Sequence, residues 1–418
     1  MSSIISLLTA SQVGALSTGQ IASLKPSDFA ALSSVQAQAL TTSQLPYVSA
    51  ADVVDISTAA IAALNSSQIG ALSPAALGAL TTSQVSQVSA TIVSGLSTTD
   101  VAAISAKDIG VLTSTQIGSI STSGFALLGA AQVGAITSAQ VSGLSTSQLA
   151  TLGTAQTAAI STKTISSLTN TQLGALSNIT SLNAGQVSAL SSSQVASVIS
   201  SLSVTQLGAL TTSQATTLSN TTLSGLSSVD VAALSTKALG ALSSSQIGSI
   251  STSGFAALTN AQVGSINSAQ VSGLTTSQLA TLGTAQTAAI ATKAISQLSN
   301  TQLGALTNFT SLGGAQVSAL TSSQIGSIST STFGALSATQ IGAITSTQAA
   351  SLSSAQLNQL NSTQIAALST KDIPNLTTTT LDTMATVSLG MLTYNQVSAM
   401  TSTQLQSLGT TGIQYLTV

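Results

Sequence analysis

The sequence predicts an all-α solenoid that spends one very short helix on each eight-residue repeat. Three observations carry this expectation. Apart from three shortened units, the chain can be cut every eight residues from Met1 to Leu416 without losing register. Each octad opens with residues that start helices: Ser, Thr, Asn or Gly first, and Gln or Asp three positions later. Aliphatic residues arrive at the fifth and eighth positions of each octad, so every unit carries an apolar pair that one unit cannot bury alone.

The register is visible in TASQVGAL (Thr9–Leu16), NSSQIGAL (Asn65–Leu72), STSQLATL (Ser145–Leu152) and NSTQIAAL (Asn361–Leu368). With the positions labelled a to h, octads fill 1–176. A six-residue unit, SNITSL, occupies 177–182, and a four-residue unit, ISSL, occupies 199–202 after two further octads. Octads resume over 203–306, a second six-residue unit, TNFTSL, occupies 307–312, and octads continue to 416. Fifty octads account for 400 of the 418 residues, so 1–418 is read as a single tandem-repeat solenoid. A longer repeat lies on top: 97–194 realigns with 227–324 at an offset of 130 residues, and QLATLGTAQTAAI recurs unchanged at Gln148 and Gln278. The six-residue unit recurs at the same offset. It reads either as a bend or contact point or, more economically, as an accident carried along by segmental duplication.

Within an octad, a and d form the Ser/Thr-x-x-Gln capping box, in which each side chain bonds the other residue's backbone N–H. Asp at d also suits the positive end of a helix dipole. The aliphatic residues at the preceding h and at e are placed as a hydrophobic staple, and Pro26 and Pro74 fall at b, the first helical position. A continuous helix does not fit, because eight residues rotate it by about 800° and the e/h stripe would drift by about 80° per repeat. One short helix per octad, with a turn at each h–a junction, satisfies all of these signals. The rival is a β-solenoid, favoured by the abundance of Ser, Thr, Val and Ile. It needs a turn between e and h in every octad, since residues three apart on one strand face opposite ways. Pro46 and Pro374, at position f, count against a helix there. Positions a to d are expected on the surface.

Composition removes most chemistry. The formal net charge is −2, 3% of residues are charged, and the chain has no His, Cys, Trp, Arg or Glu. Without His or Glu there is no ordinary general base near neutral pH, and without Cys there is no thiol chemistry, disulfide or thiolate metal site. The six lysines are too few and too scattered to neutralise a nucleic-acid backbone. The chain contains no apolar run of about 18 residues, so no transmembrane segment is expected. Its start, MSSIISLL, has no basic residue and runs straight into the repeat, so no cleaved signal peptide is recognised. A hydrophobic content of 43% on a strict period excludes disorder.

The individual residues point the same way. Lys107-Asp108 and Lys371-Asp372 read as solvated neighbours at a helix start. Lys163, Lys237 and Lys293 share position c and read as one solvent-facing row. Asp52, Asp55 and Asp100 lack the spacing of a calcium loop. Phe29, Phe125, Phe255 and Phe333, all at e, read as core, and Phe309 as the filler of a bend. Tyr47, Tyr394 and Tyr415 are too sparse for a stacking platform. Asn178-Ile179-Thr180 and Asn308-Phe309-Thr310 match the glycosylation acceptor pattern. No catalytic, cofactor-binding or metal-ligating residue is expected, and no enzyme activity.

The unit L-[ST]-[ST]-x-Q-[VIL]-x-[AS] resembles the LTTxQ-type octapeptide arrays of some large bacterial secreted or surface proteins, often labelled adhesins, and the resemblance spans nearly the whole chain. It implies a protein at the bacterial surface or outside the cell. Low charge and a repeated hydroxyl- and amide-rich exterior point to an extracellular structural or adhesive protein that self-assembles into filaments or a surface or matrix layer. Its expected partners are copies of itself and, beyond those, the cell surface or matrix polysaccharide. The alternative is an array-type ligand binder such as an ice-binding protein, which would need a flat, Thr-rich face.

Overall fold

A computed structural model describes residues 3–416. Short helices of four to seven residues follow one another along the chain, as in Ala50–Val53 and Ser192–Val198, and no strand occurs among the described residues. The α-solenoid is therefore the fold, and the β-solenoid is set aside. Each helix begins one residue after position a. Thr9, for example, is extended (φ −74°, ψ 160°), and the helix Ala10–Gly14 follows. Most helices end at f or g, after which h turns extended again, as at Leu40 (φ −61°, ψ 133°). Two extended residues thus form each corner. The last octad departs from this. Leu408 at h stays helical, and the corner is made at Gly409, the one positive φ (60°) among the described residues.

The capping box is formed as the sequence predicts. The amide of Gln12 bonds the hydroxyl of Thr9 at 3.3 Å while the amide of Thr9 bonds Oε1 of Gln12 at 2.8 Å. Where a is Gly the first half is lost and the second kept, as in the bond from Gly153 N–H to Gln156 Oε1 at 2.6 Å. Pro46 and Pro374 are accommodated because their octads tighten into 3₁₀ turns, Leu45–Tyr47 and Ile373–Asn375, which need no amide hydrogen from the proline. The shortened units do the same, as Ile179–Ser181, Ile199–Ser201 and Phe309–Ser311.

The chain divides into two compact units, Met1–Ala209 and Leu210–Val418. In each, a helix packs on the third helix-bearing octad along. Ala10–Gly14 lies on Ser34–Ala39 in the first unit, and Thr212–Thr216 on Thr236–Ala241 in the second. Positions e and h point inward: Ile61 and Leu64 are typical, and Phe29, Phe125, Phe255 and Phe333 are all fully buried. Helices this short are unstable alone, and two aliphatic side chains do not offset the ordering of eight residues. Stacking of coils is what holds them.

Candidate functional site: an amide ladder and an uncharged exterior

A helix of five or six residues leaves nearly all its terminal N–H and C=O groups without an intrahelical partner. Position d resolves both ends at once. Its carboxamide oxygen accepts the N–H of its own corner. Its nitrogen donates backward to carbonyls 28 and 31 residues earlier, at h and e of the fourth octad back. Gln44 reaches Leu16 at 2.7 Å and Val13 at 3.0 Å, and Gln84 reaches Ile56 and Val53, each at 2.7 Å. In the second unit Gln270 reaches Leu242 and Leu239, each at 2.8 Å. Since helices stack on the third octad while these links reach the fourth, one coil takes between three and four octads.

These glutamines are buried. Gln84, Gln148 and Gln278 are each 1% exposed. The expectation that a to d all face solvent is therefore corrected: a, b and c do, and d turns inward. The reason is that a main-chain carbonyl of the neighbouring coil, invisible to local sequence reading, offers the amide nitrogen a partner in the interior. Gln12 and Gln20, with no preceding coil among the described residues, are exposed and cap only their own corners.

Other residues at this station keep the same link. The hydroxyls of Thr164 and Thr380 donate to the h carbonyls of Ile136 at 2.7 Å and Leu352 at 2.9 Å. In the six-residue units, Asn178 and Asn308 reach Leu152 at 2.8 Å and Leu282 at 2.7 Å. The side-chain nitrogens that the acceptor pattern would glycosylate are thus engaged inside the fold.

Aspartates at d behave in two ways. Asp52, Asp100 and Asp230 are half-exposed and accept bonds from their own corner serines. Asp28 is nearly buried and receives donors from the preceding coil, the Ser3 hydroxyl at 2.8 Å and the Ile4 amide at 3.1 Å. The Lys25 backbone N–H, and then the Ser3 hydroxyl, hold its carboxyl below the ordinary value. Asp108 and Asp372 are buried, and burial pushes both carboxyls upward. The reading of these two as solvated is therefore corrected, because their shared station d lies inside. The adjacent Lys107 and Lys371 are exposed.

What remains outside is largely Ser, Thr, Ala and Gly. Lys163, Lys237 and Lys293 at c are exposed, as are Tyr47, Tyr394 and Tyr415, and Asp55 stands in solvent. Among the described residues no group of three or more potential metal ligands comes together, and no helix is long and apolar enough to cross a membrane. Phe309 is buried, and beside it the shortened coil leaves an open groove of about 140 Å³ over Leu303, Leu306 and Ile328, rimmed by Asn300 and Thr332.

The comparison with known families finds the repeat in part of the chain. Three stretches match the ALTTAQ repeat. They are residues 48–82, 223–260 and 350–378. Each ALTTAQ-like stretch contains ladder stations: Asp52 and Gln68 in the first, Asp230 and Gln246 in the second, Gln356, Gln364 and Asp372 in the third. The chain is accordingly a repeat protein with LTTxQ-like units. No curated protein matches it.

Proposed function

We propose that this chain is a structural, non-catalytic repeat protein that works outside the cell, associating with copies of itself into filaments or a surface or matrix layer and adhering through the same exterior to cell-surface or matrix polysaccharide. The observation that supports this most directly is the division of polar groups. The amides with the strongest claim on partners are turned inward to join coils. The exterior is left with small hydroxyl-bearing residues and 3% charge over the whole chain. Such a surface has little like-charge repulsion to keep copies apart. It also presents the same weak contact many times, so that contacts add through effective concentration.

Negative-stain microscopy and sedimentation velocity on the purified chain test the reading. Assemblies should grow with protein concentration. Their extent should be the same at low and high salt, because few charges are present to be screened. Monodisperse particles at every concentration would overturn it.

A further inference from the structure

Asp108 and Asp372 occupy buried ladder stations with a side chain long enough to make the inter-coil link but, as carboxylates, with no donor to make it. In the regular ladder the d side chain donates to the h carbonyl 28 residues earlier, as Gln84 does to Ile56 at 2.7 Å. At the same spacing from Asp108 and Asp372 stand the carbonyls of Leu80 and Ile344, and no hydrogen bond reaches either one. Reach is not the obstacle. The hydroxyls of Thr164 and Thr380, on side chains no longer than that of Asp, already bond the equivalent carbonyl at 2.7 and 2.9 Å. The obstacle is chemical: a carboxylate only accepts. In Asp372 the Ser346 hydroxyl holds Oδ1 at 2.9 Å, while Oδ2 is buried with no partner at all. In Asp108 the Ser105 hydroxyl bonds Oδ2.

We propose that Asp108 and Asp372 are proton-operated rungs: the neutral carboxyl donates its O–H to the carbonyl of Leu80 or Ile344 and ties two coils together, and the carboxylate leaves that tie open. Burial, which raises both carboxyls, favours the neutral form. Few groups compete. Thr82–Gln87 and Ala130–Ala135, packed on the helix of Asp108, carry no ionisable side chain, nor does Pro74–Ala79 before Leu80. The same holds for Ser346–Ala349, which packs on Ile373–Asn375, for Ser402–Ser407, whose Gln404 bonds Ile373, and for Ala338–Ile341 before Ile344. Lys107 and Lys371, each on the same octad as its aspartate, are the charged neighbours in sequence. A folded-state value raised above the unfolded one means that the folded chain holds the extra proton. The stabilisation is full below the unfolded carboxyl value and is lost as pH rises through the folded value. Acid therefore tightens these two coil contacts, and neutral pH loosens them.

With eight aspartates in the whole chain, selective ¹³Cγ labelling resolves the titration directly in the full-length protein. Two resonances should titrate above the ordinary carboxyl value of about 3.9, and they should be the ones lost in Asp108→Asn and Asp372→Asn. Asparagine carries a permanent donor, and Asn178 and Asn308 already make this link. Hydrogen exchange, corrected for the intrinsic rate, should therefore slow on acidification in residues 77–82 and 341–346 of the natural chain. In the double variant those segments should stay slow at every pH, whereas Asp52→Asn, at a half-exposed station, should leave the pH response intact. Ordinary or lowered values for both carboxyls, or an unchanged pH response in the double variant, would overturn the proposal. If the double variant does not fold, the titration of the natural chain decides alone.

Discussion

Replacing Gln84 by Met tests the ladder where its geometry is most complete. The side chain keeps its length and approximate volume, so packing changes little. Gln84 is 1% exposed and makes four bonds: Oε1 accepts the Thr81 amide at 2.7 Å and the Thr81 hydroxyl at 3.1 Å, and Nε2 donates to Ile56 and Val53, each at 2.7 Å. The Val53 carbonyl retains the Ile56 amide at 3.3 Å. The variant thus strands one buried group, the Ile56 C=O, and frees the Thr81 N–H at an exposed corner residue. At about 1–3 kcal/mol for the stranded carbonyl and about 0.5–1 kcal/mol for the lost cap, the local cost is about 1.5–4 kcal/mol. A tandem array does not unfold as one unit, so a single melting curve would blur the effect. Native-state hydrogen exchange over residues 49–56 and 81–88 reads it locally. The amides there should exchange roughly 10-fold to 10³-fold faster, at tenfold per 1.4 kcal/mol. Gln12→Met is the internal control. Gln12 is exposed and caps only Thr9, so the freed amide meets water and the cost stays near about 0.5–1 kcal/mol. Equal effects at Gln12 and Gln84 would refute the view that the inter-coil link, and not the local cap, is what the glutamine contributes.

Three further outcomes are expected. A methyl group on Gly143 would lie 1.7 Å from the Ser114 carbonyl oxygen, and one on Gly273 would lie 1.8 Å from that of Ser244. Gly143→Ala should therefore cost at least about 1–3 kcal/mol in denaturant titration, whereas Gly174→Ala, which meets open space, should be neutral or mildly stabilising. Thr157 and Thr287 are fully buried and their hydroxyls have no partner. Val at either site should raise local stability by about 1–2 kcal/mol, seen as slower exchange; faster exchange would show that the hydroxyl is needed. Asp28 has the opposite sign from the two buried rungs. Its lowered folded value gives stability that is present above the unfolded carboxyl value and lost as pH falls through the folded one. Asp28→Asn should flatten the acid limb of exchange measured at residues 3–8.

The local half of this structure was legible in the sequence because capping is local. The residues that bond one another, such as Thr9 and Gln12, lie three apart, so their spacing is their geometry. The core was legible for a similar reason: e and h recur with apolar side chains. The ladder was missed because its partners lie 28 and 31 residues away and are main-chain atoms, which leave no mark in side-chain pattern. A signal was nonetheless present. A capping box accepts Glu as readily as Gln, yet Glu is absent from the chain, and Gln persists at Gln132, Gln156, Gln286 and Gln316 where Gly at a leaves half the box empty. A box alone needs an acceptor at d. The predominance of the amide at d, with Asp at six stations and Glu at none, reports a second, donating task. The prolines at f misled in the other direction. Pro46 and Pro374 argue against an α-helix correctly, but a 3₁₀ turn joins the same two corners and keeps the solenoid intact.

Because the glutamine rungs end on main-chain carbonyls, the ladder itself reads little of the side chains of the coil beneath it, close approaches such as Gly143 on Ser114 being the exceptions. An octad can therefore change neighbours and keep its rung, provided the chain re-enters at a corner in the same phase. This explains how a segment of 130 residues, which is not a whole number of octads, can be copied within the gene without spoiling the product: its shortened units begin and end at corners, as every octad does. Recombination at these junctions is expected to leave the rungs intact, so that length can change without a new kind of contact.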